Sequence, residues 1–373
     1  MLSENKLTKD LRIFLLLIVF LTVIGFVFIY SSSSVYALEK FGSSNYFVKK
    51  QMFYLAIAFC SFFMSAVIPL GIVKRLAPFL FFVSVVLTAI TLIPSFALKL
   101  NGANRWLSFA GISFQPSEIL KLSWFIYIGY FLSKKKDKLG SFVHSYLPFG
   151  IILGIVFLVL LKQPDFGSVI TIFSTSLLLF FVAEFNMRYL LAVILASIPA
   201  VVWLVLMKSY RLKRILVFLN PWADPQGSGF QIIQSLIAIG SGHIFGLGIS
   251  NSRQKFFYLP MQHTDFIFPI IAEEVGFLGA SLVVVLFFLV CFYGLRIVVK
   301  LQDSFSFFMV LGFIFFITIQ VLINLMVTVG LLPTKGLGLP FISYGGTALI
   351  VFFIMVGLIV NAVRVQKRNI TRN

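Results

Sequence analysis

The sequence is short of charge, and shortest of negative charge. Only 11% of its 373 residues are Asp, Glu, Lys or Arg, against roughly a quarter in ordinary soluble domains. Acidic residues number 12 in all, few enough to weigh singly. A chain with so little charge and 60% hydrophobic residues would present a large apolar surface to water and aggregate. This excludes a water-soluble globular domain and leaves lipid as the solvent. Cysteine and histidine are also scarce, at two and three residues. Cys60 and Cys291 lie inside apolar runs, where they read as packing residues and exclude a disulfide framework. His144, His243 and His263 show no metal-ligand spacing, so no protein-built metal site is read. Low-complexity tails are lacking and no second domain is visible, so residues 1–373 read as a single transmembrane domain.

What the chain has in excess is positive charge, +18 net. The cations stand in short clusters between apolar runs, where they meet anionic headgroups and set topology. That distribution argues against a nucleic-acid partner. A spanning helix needs about 20 apolar residues, and ten such runs are read, over 12–31, 50–69, 74–94, 115–133, 145–162, 166–185, 189–207, 266–296, 305–331 and 342–363. The expected fold class is therefore an all-α polytopic membrane protein of about ten transmembrane helices, with one long extracytoplasmic loop, 208–264, between helices 7 and 8. Lys6, Lys9 and Arg12 precede the first run, and Val35-Tyr36-Ala37 has the form of a cleavage site. The run is longer than a signal-peptide core, which favours a retained anchor. With the N-terminus inside, Lys74, Arg75, Lys134, Lys135, Arg296, Lys300, Arg364 and Lys367 all fall on the same side, which places both termini in the cytoplasm. The long loop holds the turn formers PWADPQGSG (221–229) and a moderately apolar stretch, Ile232 to Ile239, expected to lie along the interface.

Seven acidic residues fall in or beside the spans or in the long loop: Glu118, Asp165, Glu184, Asp224, Asp265, Glu273 and Glu274. Ionisable groups at membrane depth are costly and point to function by default. Asp265 stands where the long loop re-enters the membrane. Two readings fit it: a general base whose pKa is lifted by partial desolvation, or a helix N-cap supplied by Thr264 or Asp265. Glu118 and Lys121, at i and i+3, share a helix face; they read as a self-neutralising pair, or as a pair that leaves Lys121 partly free for an anionic headgroup. Arg105 beside Trp106 offers a phosphate-type donor next to an amphipathic ring, or simply an interfacial anchor. Arg211, Lys213 and Arg214 either bind a pyrophosphate-linked lipid or snorkel to headgroups. GLLPTKGLGLPFISYGG (330–346) is irregular backbone near membrane depth, tolerated where protein buries it or where it lines a wet cavity. It reads as a cavity wall carrying Lys335, or as a tight connection.

Several of these segments resemble, in order, those of the SEDS (shape, elongation, division and sporulation) family: NGANRWL and QPSEILK, QPDFGS (163–168), PWADPQGSGFQIIQS (221–235), LPMQHTDFIFPIIAEEVGFLG (259–279) and LPTKGLGLPFISYGGT (333–347). The resemblance covers nearly the whole chain, and PTKG with PWADPQGSG looks more like the division branch than the elongation branch. It implies ten transmembrane helices and a peptidoglycan glycosyltransferase that polymerises lipid II on the outer face of the bacterial cytoplasmic membrane, at the division septum. It implies Asp265, the aspartate of HTDF, as the essential base. Arg105, Trp106, Lys121, Arg211, Lys335, His263 and Ser343 are then the expected substrate-binding residues, and Glu118, Asp165 and Glu274 the structural supports. Inversion at the anomeric carbon needs no enzyme nucleophile. A divalent cation, magnesium or manganese, would ride on the substrate pyrophosphate. The implied partners are lipid II, a class B penicillin-binding protein transpeptidase, other divisome membrane proteins and membrane lipids. Two positions depart from the family: Met261 where Glu is common, and Pro269 where Ala is common. The competing classes are a lipid II transporter, for which broken helices and buried charges also suit, and a non-catalytic division scaffold.

Overall fold

The structure is a computed structural model. It describes residues 2–100, 103–109, 112–135, 142–207, 209–227, 229–255 and 262–372. Each of the ten apolar runs is a helix: α1 (Leu2–Phe41), α2 (Tyr46–Val67), α3 (Leu70–Ile90), α4 (Pro116–Lys134), α5 (Leu147–Lys162), α6 (Phe166–Val182), α7 (Met187–Leu206), α10 (Ile267–Val298), α11 (Ser304–Thr328) and α12 (Gly346–Arg372). Six of them, α1, α2, α3, α10, α11 and α12, are long and apolar enough to cross a hydrocarbon layer on those grounds alone. α4 has the length but carries Glu118 and Lys121, while α5 and α6 are short, at 16 and 17 residues.

The bundle is apolar on its outside. Phe63, Met64, Phe79, Phe82 and Leu195 project from α2, α3 and α7 with more than half their surface open, an arrangement that only lipid tolerates. The centre is α4 packed along α11. Both are buried on nearly every side, so neither shows the one-sided stripe of a surface helix. Hydrogen bonds stitch the interior: Trp124 Nε1 donates to Ser176 Oγ at 3.0 Å, and Asn361 Nδ2 donates to the Ser65 and Ile68 carbonyls at 2.9 and 2.5 Å. Where α12 crosses α2, a Cβ on Gly357 would lie 2.0 Å from Ser65 Oγ, the close approach that small residues permit between membrane helices. α1 runs unbroken through Val35-Tyr36-Ala37. Tyr36 there stacks at 6.0 Å on both Phe47 and His263.

Two features go beyond the all-α expectation. Between α3 and α4 the chain forms a three-stranded antiparallel sheet, β1 (Ala97–Leu100), β2 (Ala103–Phe109) and β3 (Ile112–Phe114), with Trp106 opposite Leu98. The Asn101-Gly102 pair between its first two strands is a hairpin signal in the sequence. The long loop is also largely structured. It contains α8 (Ser209–Leu219), a single 3-10 turn at Pro221–Ala223, and α9 (Phe230–Ser241). The stretch from Ile232 to Ile239 is thus part of a helix that packs on α10 and α11, with Ile232, Ile233 and Ala238 buried. Leu236 and Ile237 on the same helix stay exposed.

Candidate functional site

The residues singled out in the sequence come together at the pole of the bundle opposite the chain ends. Asp265 sits in the turn before α10. The N-cap of α10 is Phe266, so Asp265 is not the helix N-cap. Three successive carbonyls in this turn are held by donors from elsewhere: Tyr344 N donates to His263 O at 2.9 Å, Ser343 Oγ to Thr264 O at 2.6 Å, and Asn324 Nδ2 to Asp265 O at 2.9 Å. The backbone carrying the carboxylate is thereby fixed without use of the carboxylate. Pro269 falls in the first turn of α10, where a missing N–H costs no intrahelical bond. Met261 lies outside the described residues.

The segment 329–345 forms the other wall. It has no regular structure, but protein satisfies its backbone, as buried irregular chain at membrane depth requires. Gln320 Nε2 donates to Gly338 O at 2.9 Å, Asn324 Nδ2 to Leu337 O at 2.6 Å, and Leu339 N to Ser343 Oγ at 2.7 Å. Gly336 lies against the site: a Cβ there would stand 3.2 Å from Asp265 Oδ2. The segment thus borders Asp265 with several of its backbone groups held by protein.

The charges around Asp265 oppose one another. Burial pushes its carboxyl up to about 7, Arg105 pulls it down, and Asp165 pushes it up. Its side chain nonetheless keeps some surface open, so the group is sunk in the wall without being sealed. Arg105, from β2, is anchored on the α5–α6 connection: Nε donates to Gln163 O at 3.0 Å and Nη2 to Pro164 O at 2.7 Å. Asp165 caps α6, accepting from Ser168 N at 3.2 Å and from Ser168 Oγ at 2.8 Å, and it takes Ser117 Oγ from α4 at 3.3 Å. α8 brings further cations to this pole. Arg211 lies 4.1 Å above the Phe166 ring, next to Asp165, and Arg214 Nη1 donates to Thr334 O at 3.3 Å. Lys335 is brought down to about 8 by burial and by Arg214.

Three expected substrate contacts are placed differently. Lys121 is fully buried, 2.5 Å from Glu118 Oε1 and over the Phe316 ring. The self-neutralising reading of that pair prevails, and Lys121 belongs with the supports. His263 is boxed by Tyr36, Phe47 and Tyr344, and burial lowers its pKa to about 4; it anchors the turn as a neutral ring. Ser343 spends its hydroxyl on Thr264 O and Leu339 N, so it positions the loop. Glu274 accepts from Ser31 Oγ of α1 at 2.5 Å. Trp106 is half-buried on β2 beside Arg105. The sequence reading missed Gln320 and Asn324, although their i, i+4 spacing in an otherwise apolar helix puts both amides on one face.

Below this pole a groove of about 610 Å3 runs between α6, α7 and α11, lined by Ile170, Phe173, Leu177, Ile319, Ile323 and Leu332. The donor set at the site does not form a metal cage. Among the described residues no group of three His, Cys, Asp or Glu side chains converges, and Asp165 is committed to Ser117 and Ser168.

Fold and site define a polytopic membrane protein with a partly buried carboxylate, Asp265, under the charges of Arg105 and Asp165. A family model described as "Cell cycle protein", covering FtsW, RodA and SpoVE, matches residues 11–368, and the chain belongs to that family. It is 38% identical over 349 residues to a protein of Geobacter sp. (strain M18) named "Probable peptidoglycan glycosyltransferase FtsW", covering 94% of this chain and 95% of that one. It is likewise 38% identical over 369 residues to stage V sporulation protein E of Bacillus subtilis, covering 98% and 100%. A solved structure titled "Structural coordination of polymerization and crosslinking by a peptidoglycan synthase complex" superposes with a TM-score of 0.78 at 28% identity, over 95% of this chain and 97% of that one.

Proposed function

We propose that the chain is a peptidoglycan glycosyltransferase of septal wall synthesis, polymerising lipid II into β-1,4 glycan on the outer face of the bacterial cytoplasmic membrane. It acts as one transmembrane unit over 1–373, with both termini in the cytoplasm. The observation that carries this reading is Asp265: a carboxylate near neutrality, freed from capping, on a turn fixed through three carbonyls. A base works best when its pKa lies near the working pH. Asp265 takes the proton from the acceptor's GlcNAc 4-hydroxyl as that oxygen attacks the donor's anomeric carbon. The bond to the pyrophosphate breaks, and undecaprenyl pyrophosphate leaves. Arg105, Arg211 and Lys335 offset the phosphate charge, and fixed cations do so without reorganising. The apolar groove between α6, α7 and α11 suits a polyprenyl chain.

A divalent cation, magnesium or manganese, would supply further neutralisation if bound, and since no protein ligand group converges among the described residues, the substrate pyrophosphate and water would hold it. The partner is a class B penicillin-binding protein, in keeping with the synthase complex to which the solved relative belongs; other divisome membrane proteins and membrane lipids complete the surroundings.

The test is polymerisation of lipid II by the purified protein with its cognate class B penicillin-binding protein and a divalent cation. Polymer is expected from the wild type and none from folded Asp265→Asn. Equal polymer from both sinks the base assignment. Polymer from neither, with the pair intact, favours a transporter or a scaffold.

A further inference from the structure

α10 is two half-helices. Gly276 interrupts it with φ 67° and ψ −169°, a backbone region that is essentially glycine's alone. Chain from the long loop fills the break. Leu247 N and Gly248 N donate to the Glu273 and Glu274 carbonyls, both at 3.0 Å, while Phe277 N and Leu278 N donate to the His243 and Ile244 carbonyls at 2.8 and 3.2 Å. The contact is backbone against backbone: a Cβ on Gly276 would lie 2.3 Å from Gly246 N, and one on Gly242 would lie 1.9 Å from Ala272 O. The first half-helix, with Asp265 just ahead of it, is thus fastened to the loop.

Glu273 tightens that fastening. It is buried in this half-helix, two turns beyond Asp265, and its carboxylate points back at the loop. Oε1 accepts from Arg253 N at 2.9 Å, and Oε2 accepts from Ser252 Oγ and from Gln254 N at 3.4 Å. Lys255 N in turn donates to Ser252 Oγ at 3.3 Å, and Gln262 Nε2 donates to Lys255 O at 3.1 Å. Gln262 leads directly into His263, Thr264 and Asp265. The circuit therefore closes: from Asp265 along the half-helix to Glu273, across to Ser252, and back through Lys255 and Gln262.

We infer that Glu273 is a positioning residue for Asp265, holding the base in register by clasping the loop on both sides of the turn that carries it. The inference rests on the assignment of Asp265 as the base. Three backbone and hydroxyl donors face this carboxylate, and no cation is paired with it among the described residues. A glutamine of the same length offers one acceptor oxygen and turns an N–H group toward donors, so it opens the clasp with little change of volume.

The experiment compares wild type, Glu273→Gln, Ser252→Ala and the double variant, each checked for a monodisperse fold in detergent, in two readouts. In the polymerisation assay, Glu273→Gln should lower kcat tenfold or more while KM changes less than twofold. Ser252→Ala should cost a few-fold, and the double variant should be no worse than Glu273→Gln alone, since both open one clasp. The second readout needs no activity: hydrogen exchange at the Tyr344 amide, which donates to His263 O. It should quicken at least tenfold in Glu273→Gln, with α2 and α12 unchanged. Folded Glu273→Gln with wild-type exchange at Tyr344 overturns the inference whether or not the chain polymerises lipid II. So does wild-type kcat in that variant where Asp265→Asn is inactive. Faster exchange in Glu273→Gln, where even the wild type makes no polymer, would uphold the clasp and overturn only the glycosyltransferase reading.

Discussion

The side-chain amide of Asn324 bridges the two walls of the site: it donates to the Asp265 carbonyl at 2.9 Å and to the Leu337 carbonyl at 2.6 Å. One side chain on α11 thus sets the distance between the turn that carries the carboxylate and the loop that carries Lys335. Replacing Asn324 by Leu removes both bonds and strands two carbonyls, at about 1–3 kcal/mol for an unsatisfied buried group. The expected result is a lower Tm together with at least a tenfold loss of polymerisation. Calorimetry and the lipid II assay on the same preparation check it.

Asp265 links activity and stability with opposite signs. A carboxyl near 7 when folded and 3.8 when free holds its proton more tightly in the folded protein. Its contribution to stability therefore falls as pH rises from about 4 through 7, and the penalty is complete above 7. Asp265→Asn should melt higher than the wild type, by a margin that widens between pH 5 and pH 8, while its polymerisation falls by 10²-fold or more, in line with the loss of a general base. Thermal melts at the two pH values would show a constant margin if Asp265 titrated like an ordinary aspartate.

The rate should follow the same group. Polymerisation rises with pH through about 7 as Asp265 loses its proton. It levels or turns down where Lys335, brought down to about 8 by burial and Arg214, loses its charge. Lys335→Arg keeps a cation at all working pH values and should remove the alkaline fall while leaving the acid limb in place. A pH–rate profile of wild type and Lys335→Arg decides this.

The Glu118–Lys121 pair is predicted to be structural. Lys121→Met leaves an unpaired buried carboxylate and should cost about 3–5 kcal/mol. Adding Glu118→Gln should recover most of it. Detergent melts of the two singles and the double are the check, and a destabilisation by Lys121→Met that Glu118→Gln leaves uncorrected would return Lys121 to the substrate.

Length and apolarity were sufficient to place a helix on each of the ten runs, six of them long and apolar enough to cross a membrane on those grounds alone, because a helix in lipid must satisfy its own backbone and hydrocarbon thickness sets its length. The scarcity of acids made Asp265, Asp165, Glu118, Glu273 and Glu274 visible one by one, since each ionisable group at membrane depth needs a reason. What each carboxylate does was decided only by tertiary structure. Glu118 closes on Lys121, Asp165 on Ser168 and Ser117, Glu274 on Ser31 and Glu273 on Ser252. The Glu274–Ser31, Asp165–Ser117 and Glu273–Ser252 partners stand 243, 48 and 21 residues apart along the chain, beyond any local pattern. Asp265 alone is left in the open wall with its backbone spoken for and Arg105 and Asp165 setting its charge. The sequence determined that a carboxylate would meet the membrane boundary here. The folding of α11, the 329–345 segment and the long loop around it decided that this one, unlike Glu118, Asp165, Glu273 and Glu274, has no side-chain hydrogen bond among the described residues, because every nearby donor has another acceptor to satisfy.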